Sequence, residues 1–213
     1  MCHHAHAAVR RHMDYLKDLR ENTPTILSPN CWGGLTYHQL GLEFMSPMIN
    51  MWEDHSDFLK ILSDPHYYLS QKPKFLEMCD NGMAPPYPVV MLDDVKIRMN
   101  HYKDFDDAMA CWERRVKRIR WDNLFVMLWD EDPGRVERFL SLPYDKKICF
   151  VPWESHIDGV ISVPYRQIPA LKDKEFWQIM NSLAQGKLTL YDPAALLAEG
   201  KYIKTGDLLP KSP

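Results

Sequence analysis

Apolar residues recur along this chain with two different spacings, and the switches between them outline its elements. Over residues 7–22 the spacing is helical, with Val9, Met13 and Leu16 on one stripe and basic residues elsewhere. Pro24 ends that helix, and Thr25-Ile26-Leu27 reads as a short buried strand. A turn follows at Ser28-Pro29-Asn30-Cys31-Trp32-Gly33-Gly34, and residues 35–42 fit the next helix. Residues 44–51 read as a second strand leading into a helix over 53–63, whose inner face is Phe58, Ile61 and Leu62. Short strands are expected at 67–69 and 74–78, and the turn residues of 80–86 predict a loop.

Residues 89–92 and 95–99 flank Asp93-Asp94, which predicts a tight antiparallel hairpin. The second strand alternates Val95, Ile97 and Met99 with Lys96 and Arg98, so one face is wet. Asp104 opens a strongly amphipathic helix to about residue 120, with Phe105, Ala108, Met109, Trp112, Val116 and Ile119 inward. Asp104, Asp106 and Asp107 sit where the helix dipole favours anions. Residues 124–128 form a continuous apolar strand ending at Trp129-Asp130, and Pro133 opens a helix to about residue 141. Strands at 148–151 and 160–163 and a helix over 174–185 complete the series; the chain beyond Tyr191 reads as a surface tail. Strands and helices alternate from 25 to 185, which implies helices packed on a largely parallel sheet.

Composition narrows the function classes. A net charge of -3 and a pI near 6.3 argue against a nucleic-acid binder that works through bulk positive charge. No apolar run approaches the roughly 18–20 residues needed to span a bilayer. Five scattered Cys without a CxxC spacing fit a reducing compartment, so the cytoplasm is the expected location. Cys2, His3, His4 and His6 resemble a metal chelator, but an exposed terminus that happens to contain His is the simpler reading.

Ligands of open α/β sheets bind beyond the C-terminal ends of the parallel strands. Four such ends carry chemistry here: Asn30-Cys31-Trp32-Gly33-Gly34, Asn100-His101-Tyr102, Trp129-Asp130-Glu131-Asp132 and Trp153-Glu154-Ser155-His156. Consecutive glycines ahead of a helix leave backbone N–H groups uncovered, so Gly33-Gly34 is a candidate anion cradle; the alternative is that they let Trp32 tuck into the core. The turn matches neither GxGxxG nor a Walker loop. Cys31 is a candidate nucleophile or a small buried hydrophobe. His101 is a candidate general base, with a structural strand-end role as the alternative. Asp130 would bind a substrate hydroxyl or a divalent cation, or cap the following helix; with Asp132 it resembles a DxD cation site. Arg114 and Arg118 point to solvent, whereas Arg115 lies about 70° from the centre of its helix's apolar stripe and is the Arg placed to reach an anion. Tyr102, Trp153 and His156 complete the substrate-binding candidates.

These residues resemble an uncharacterised, mainly bacterial family, the domain of unknown function 1919 family, associated with exopolysaccharide biosynthesis. The resemblance rests on the Ser28–Gly34 run, Ser46-Pro47, His101-Tyr102 followed by Ala108, Trp112, Glu113, Arg114, Arg115 and Arg118, then Asp122-Asn123-Leu124-Phe125 and Lys146-Lys147. Family members often have Asn-Asn before the Cys, where this chain has Pro29-Asn30; Pro removes a backbone donor and stiffens the turn. The resemblance implies a three-layer α/β fold and a place near cell-surface polysaccharide synthesis, without an established reaction or established catalytic residues. The expected architecture is a Rossmann-like α/β/α domain over residues 24–190, with a mixed, mostly parallel sheet carrying one antiparallel hairpin. A helix (1–23) precedes it and a tail (191–213) follows. Two functions compete. One is a transferase taking an anionic phosphate-linked or nucleotide-sugar donor to a glycan acceptor, with His101 as base. The other is a non-catalytic glycan- or partner-binding module using Trp32, Trp129 and Trp153 as stacking platforms. A Cys31-dependent acyltransferase or hydrolase is a third reading, and the basic residues of the 104–120 helix suggest at most peripheral contact with a membrane.

Overall fold

The structure, a computed structural model, describes residues 2–80, 82 and 85–210, the side chains of residues 2–6, 206, 207, 209 and 210 excepted. The candidate chelator Cys2, His3, His4 and His6 therefore lies outside the described side chains. The first helix, α1 (Cys2–Glu21), turns Tyr15, Leu16 and Leu19 inward, while Val9 and Met13, expected on the buried stripe, face solvent. Its rotation is set by polar contacts to the end of the chain: His12 Nδ1 lies 2.9 Å from Asp192 Oδ1, and Tyr15 donates to Glu199.

After β1 (Thr25–Leu27) comes α2 (Trp32–Leu40), closed by Gly41 in the left-handed region. No strand forms over 44–51, where Pro47 lacks a ladder donor and Asn50 has a φ of 64°; the short β2 (Trp52–Glu53) comes only after it. Next come α3 (His55–Ser63) and α4 (Pro65–Ser70). The latter replaces the strand expected at 67–69. Pro65 presets the first helical turn, and the Asp64 carboxylate accepts the Tyr67 N–H at 3.0 Å, which outweighs the strand preference of two tyrosines.

An antiparallel meander follows: β3 (Lys74–Cys79), β4 (Tyr87–Leu92) and β5 (Val95–Arg98), the β4–β5 turn being made by Asp93 at a φ of 56°. Helix α5 (Phe105–Val116) starts at Asp104, whose carboxylate accepts the Asp107 N–H at 2.8 Å. The remaining elements are β6 (Leu124–Trp129), α6 (Pro133–Leu140), β7 (Lys147–Val151), β8 (Val160–Ser162), α7 (Phe176–Ala184), β9 (Leu188–Tyr191), α8 (Pro193–Glu199) and β10 (Lys204–Pro210). The segment expected to wrap the surface is thus partly core: Ala194, Ala195, Leu196 and Leu197 of α8 are buried.

The central sheet is parallel throughout, in the order β1-β6-β7-β8. Both faces are covered, so its strands alternate between two cores rather than between core and water. Ile26, Phe125, Met127, Ile148 and Phe150 meet α1, α2, α7 and α8 on one side. Leu27, Val126, Leu128, Cys149 and Val151 meet α3, α5 and α6 on the other. The architecture is three-layer α/β. The antiparallel hairpin, expected within the same sheet, instead belongs to a second sheet ordered β2-β5-β4-β3 that packs into the latter core. The wet face predicted for β5 holds, as Lys96 and Arg98 are half-exposed between buried Val95 and Ile97.

Candidate functional site

The turn after β1 is held together by its own side chains. Ser28 Oγ accepts the Gly33 N–H at 3.1 Å, and Asn30 Oδ1 accepts the Trp32 N–H at 3.0 Å. The first donors of α2 are therefore occupied from within. A Cβ on Gly33 would lie 2.9 Å from Ser28 Oγ and 3.0 Å from Ile26 Cγ2, and one on Gly34 would lie 3.2 Å from Ile49 Cγ2. The paired glycines let α2 close onto the sheet; they do not form an open anion cradle. Trp32, expected on a ligand-facing platform, is fully buried: its indole N–H donates to the Tyr191 hydroxyl at 3.2 Å and its ring stacks on Phe125.

Beside this turn opens a cavity of about 820 Å³. It lies at the C-terminal ends of β1 and β6, which contribute Pro29, Asn30, Cys31 and Trp129. Trp52, Glu53, Asp54, His55 and Ser56 form a second wall from β2 and the start of α3. The antiparallel sheet adds Tyr87 and the residues after β5, Asn100 and His101; α6 adds Arg135, and α7 adds Trp177 and Asn181.

The best-organised group in it is a carboxylate–imidazole pair. Asp130, 1% exposed, has Oδ2 3.0 Å from His55 Nδ1. Arg135 grips both its oxygens, donating from Nε to Oδ2 and from Nη2 to Oδ1 at 2.7 Å each. The N–H groups of Glu131 and Asp132 add bonds to Oδ1 at 2.7 and 2.9 Å. Burial works against the charge of Asp130, but the bonds from His55, Arg135 and the Asp132 backbone outweigh it and hold the carboxyl well below the usual carboxylate range. An ionised carboxylate only accepts, so His55 Nδ1 must be the donor, which leaves Nε2 as the free ring nitrogen. The imidazole is further fixed edge-on to Trp129, with ring centroids 4.4 Å apart.

Around this pair cluster polar groups without partners. Buried and unbonded are Asn30 Nδ2, both carboxyl oxygens of Glu53, Asn100 Oδ1, Trp129 Nε1 and Asn181 Oδ1, and every one of these residues lines the same cavity. Buried polar atoms are bonded in the great majority of cases, so their concentration here marks a surface that a ligand or solvent completes. Glu53 is the extreme case. It is fully enclosed, and burial, reinforced by Asp57 and Asp54, pushes its carboxyl well above the usual range despite Arg98 nearby.

The structure sorts the remaining sequence candidates. Cys31 lines the cavity, but burial pushes its thiol up to about 11, which opposes the thiolate a nucleophile needs. His101 stands exposed at the rim, and Asn30 keeps one free donor toward the cavity. Tyr102 and Arg115 do not line it: buried Arg115 donates to the Tyr102 hydroxyl at 2.5 Å, which donates to Ile49 O at 2.8 Å, fastening α5 to the loop after α2. Trp153 packs against the core shared by α3, α5 and α6. His156 lies in a separate cavity of about 960 Å³ beside β8 and the β9–β10 pair. Asp132 caps α6 through the Arg135 N–H at 2.9 Å, so the DxD-like pair is spent on the protein itself. Among the described residues, no group of three or more His, Cys, Asp and Glu side chains is placed to hold a metal ion.

Glu53 and His55, with Trp52, Trp177 and Asn181, were not among the sequence candidates. The run Trp52-Glu53-Asp54-His55 was a usable signal, since acid and imidazole at a strand-to-helix junction belong to the same end of the fold as Asp130. The apolar spacing of residues 53–63 instead draws attention to a helix whose inner face is Phe58, Ile61 and Leu62.

The matched family model is described as a domain of unknown function (DUF1919) and covers residues 3–193. The chain belongs to this family. An uncharacterised protein of Haemophilus influenzae is 33% identical over 129 residues, which is 59% of this chain and 60% of that protein. Among the described residues, no helix is long and apolar enough to cross a membrane.

Proposed function

We propose that this family member is a group-transfer enzyme of cell-surface polysaccharide assembly, working in the cytoplasm on an uncharged, hydroxyl-rich acceptor such as a glycan. The observation that carries the reading is the Asp130–His55 pair, fixed by Arg135 and opening on a cavity ringed with unpaired polar atoms. With Nδ1–H committed to Asp130, His55 Nε2 takes the proton of an acceptor hydroxyl as that oxygen attacks the donor. His101, at the rim, serves contact rather than catalysis. Arg135, the cation of the cavity's lining, is already paired with Asp130, so the unpaired polar atoms of the walls are what meets the acceptor's neutral hydroxyls. The donor of this reading, a phosphate-linked or nucleotide sugar, is taken from the family's association with exopolysaccharide proteins. The unpaired thiols of Cys31, Cys79, Cys111 and Cys149 accord with a reducing compartment.

The test incubates purified protein with nucleotide sugars and neutral oligosaccharide acceptors, and follows nucleotide release. His55→Gln is expected to lower turnover about 10²–10⁴-fold with little change in Tm, while His101→Ala stays active. Full turnover by His55→Gln would remove the base assignment. Trp52, Trp129 and Trp177 on the walls favour a second reading, a glycan-binding module. Oligosaccharide binding that is equal in wild type and His55→Gln, with no turnover of any donor, would establish it.

A further inference from the structure

Glu53 is not needed for the geometry of its own surroundings. Strand β2 is held by its backbone: Glu53 pairs with Ile97 across to β5, and its N–H reaches Pro29 O at 3.4 Å. The side chain, 2% exposed, leaves both oxygens unbonded at the cavity wall. Arg98, whose charge acts on Glu53, is committed elsewhere: it reaches Asp54 at 3.4 Å and lies 4.1 Å over the Trp52 ring. Asp54 and Asp57 of the adjoining segment add negative charge, His55 shares its wall, and Cys31, His101 and Arg135 line the other walls of the cavity. An enclosed carboxyl with like charges beside it and no committed partner rests in its protonated form. A carboxylic acid offers one donor and one acceptor, which complements the free donor of Asn30 and the free acceptors of Asn100 and Asn181 around the same space.

We propose that Glu53 is the cavity's proton donor, a neutral carboxylic acid that hydrogen-bonds the bound molecule and protonates the oxygen that leaves the donor. This rests on the reading of His55 as base. In the balanced step, the acceptor oxygen forms its bond to the transferred group as that group's bond to the leaving oxygen breaks. The acceptor's proton goes to His55 Nε2, and Glu53's proton goes to the leaving oxygen. A water then returns the imidazolium proton to the Glu53 carboxylate, restoring both groups. Opposed protonation states in neighbouring groups are how one site runs acid and base chemistry together.

Thermal unfolding of wild type, Glu53→Gln and Glu53→Leu from pH 4 to 8 tests the resting state without any substrate. The folded state keeps a proton that the unfolded chain releases above about pH 4.5, so wild-type stability falls as pH rises through this window. Neither variant carries that penalty. Glu53→Gln is expected to melt above wild type by a margin that widens with pH to roughly 3–6 °C near pH 7. Isotope-edited infrared spectra at pH 7 should show a protonated carboxyl band that Glu53→Gln lacks. A variant less stable than wild type, a margin that does not change with pH, or no such band overturns the proposal. In the transfer assay, Glu53→Gln should lose about 10²-fold or more in turnover together with the alkaline limb of the pH profile. Wild-type turnover in Glu53→Gln overturns the donor role and leaves His55 standing. Full activity in His55→Gln, with the stability and infrared results as expected, removes the base and not the neutral acid.

Discussion

Replacing Asp130 by Asn is the sharpest probe of how the site is held. The change is almost isosteric, so it leaves packing intact and removes charge. Asp130 receives donors only: His55 Nδ1, two guanidinium nitrogens of Arg135 and two backbone N–H groups. Asparagine keeps one acceptor oxygen and turns a second donor toward donors that are already there. Breaking a buried charge pair from one side costs about 3–5 kcal/mol, and the lower end applies because Arg135 is 38% exposed and can turn to solvent. For a chain of this size, about 3 kcal/mol corresponds to a Tm drop of roughly 6–12 °C at pH 7. The pH dependence follows from the depressed folded-state value. The carboxylate's stabilisation is fully present above the ordinary Asp value near 3.8 and is lost as pH falls below it toward the folded value. The gap between wild type and Asp130→Asn should therefore be constant from pH 8 to about 5 and shrink in more acidic buffer. Melting curves followed by circular dichroism from pH 2.5 to 8 measure it. A gap below about 1 °C at pH 7, or one that does not close in acid, would show that Asp130 is not the ionised anchor of this network.

Two further outcomes separate packing from chemistry at the β1 turn. Gly33→Ala should cost about 1–3 kcal/mol by urea unfolding, since its Cβ would press on Ser28 Oγ and Ile26 Cγ2. Unchanged stability coupled to lost anion binding would reinstate the turn as an anion site. Cys31 should alkylate slowly with iodoacetamide at pH 7.5 and faster as pH approaches 11, and Cys31→Ser should retain turnover. Rapid labelling at neutral pH with loss of activity, read by peptide mass mapping, would favour the cysteine-dependent acyl-transfer reading instead.

The alternation of strands and helices was legible because it rests on local signals: Asp104 and Pro133 mark helix starts, and the continuous apolar run over 124–128 reads as a buried strand, whereas the helix start at Asp64-Pro65 was hidden by the strand preference of Tyr67 and Tyr68. The hairpin at Asp93-Asp94 was legible too, but not its sheet, because which layer a hairpin joins depends on long-range packing that no local pattern encodes. The rotation of α1 was misjudged for a similar reason. Val9 and Met13 make a plausible stripe until His12 and Tyr15 find Asp192 and Glu199 about 180 residues away. At the site, Asn30, Cys31, His101 and Asp130 were found by position at strand ends, and the first three line the cavity. His55 escaped notice because the value of an imidazole lies in its partner, and Asp130 is 75 residues distant. Trp32, Gly33, Gly34, Tyr102 and Arg115 carried strong sequence signals whose cause was close packing.

The cavity's walls come from pieces of chain that share no hydrogen-bonded sheet: the ends of β1 and β6, the β2–α3 junction with the residues after β5, and α7. A molecule seated there would act as a keystone between pieces that otherwise meet through side-chain packing and a few hydrogen bonds, such as those from Glu53 to Pro29 and between His55 and Asp130. Its binding energy would add to the cohesion of all three in proportion to its saturation, as mass action requires. Local opening of any one piece would in turn release it. Affinity at this cleft and the integrity of the three-layer stack are thus one quantity seen from two ends, and substitutions deep beneath α7 or β5 should be felt as changes in ligand retention.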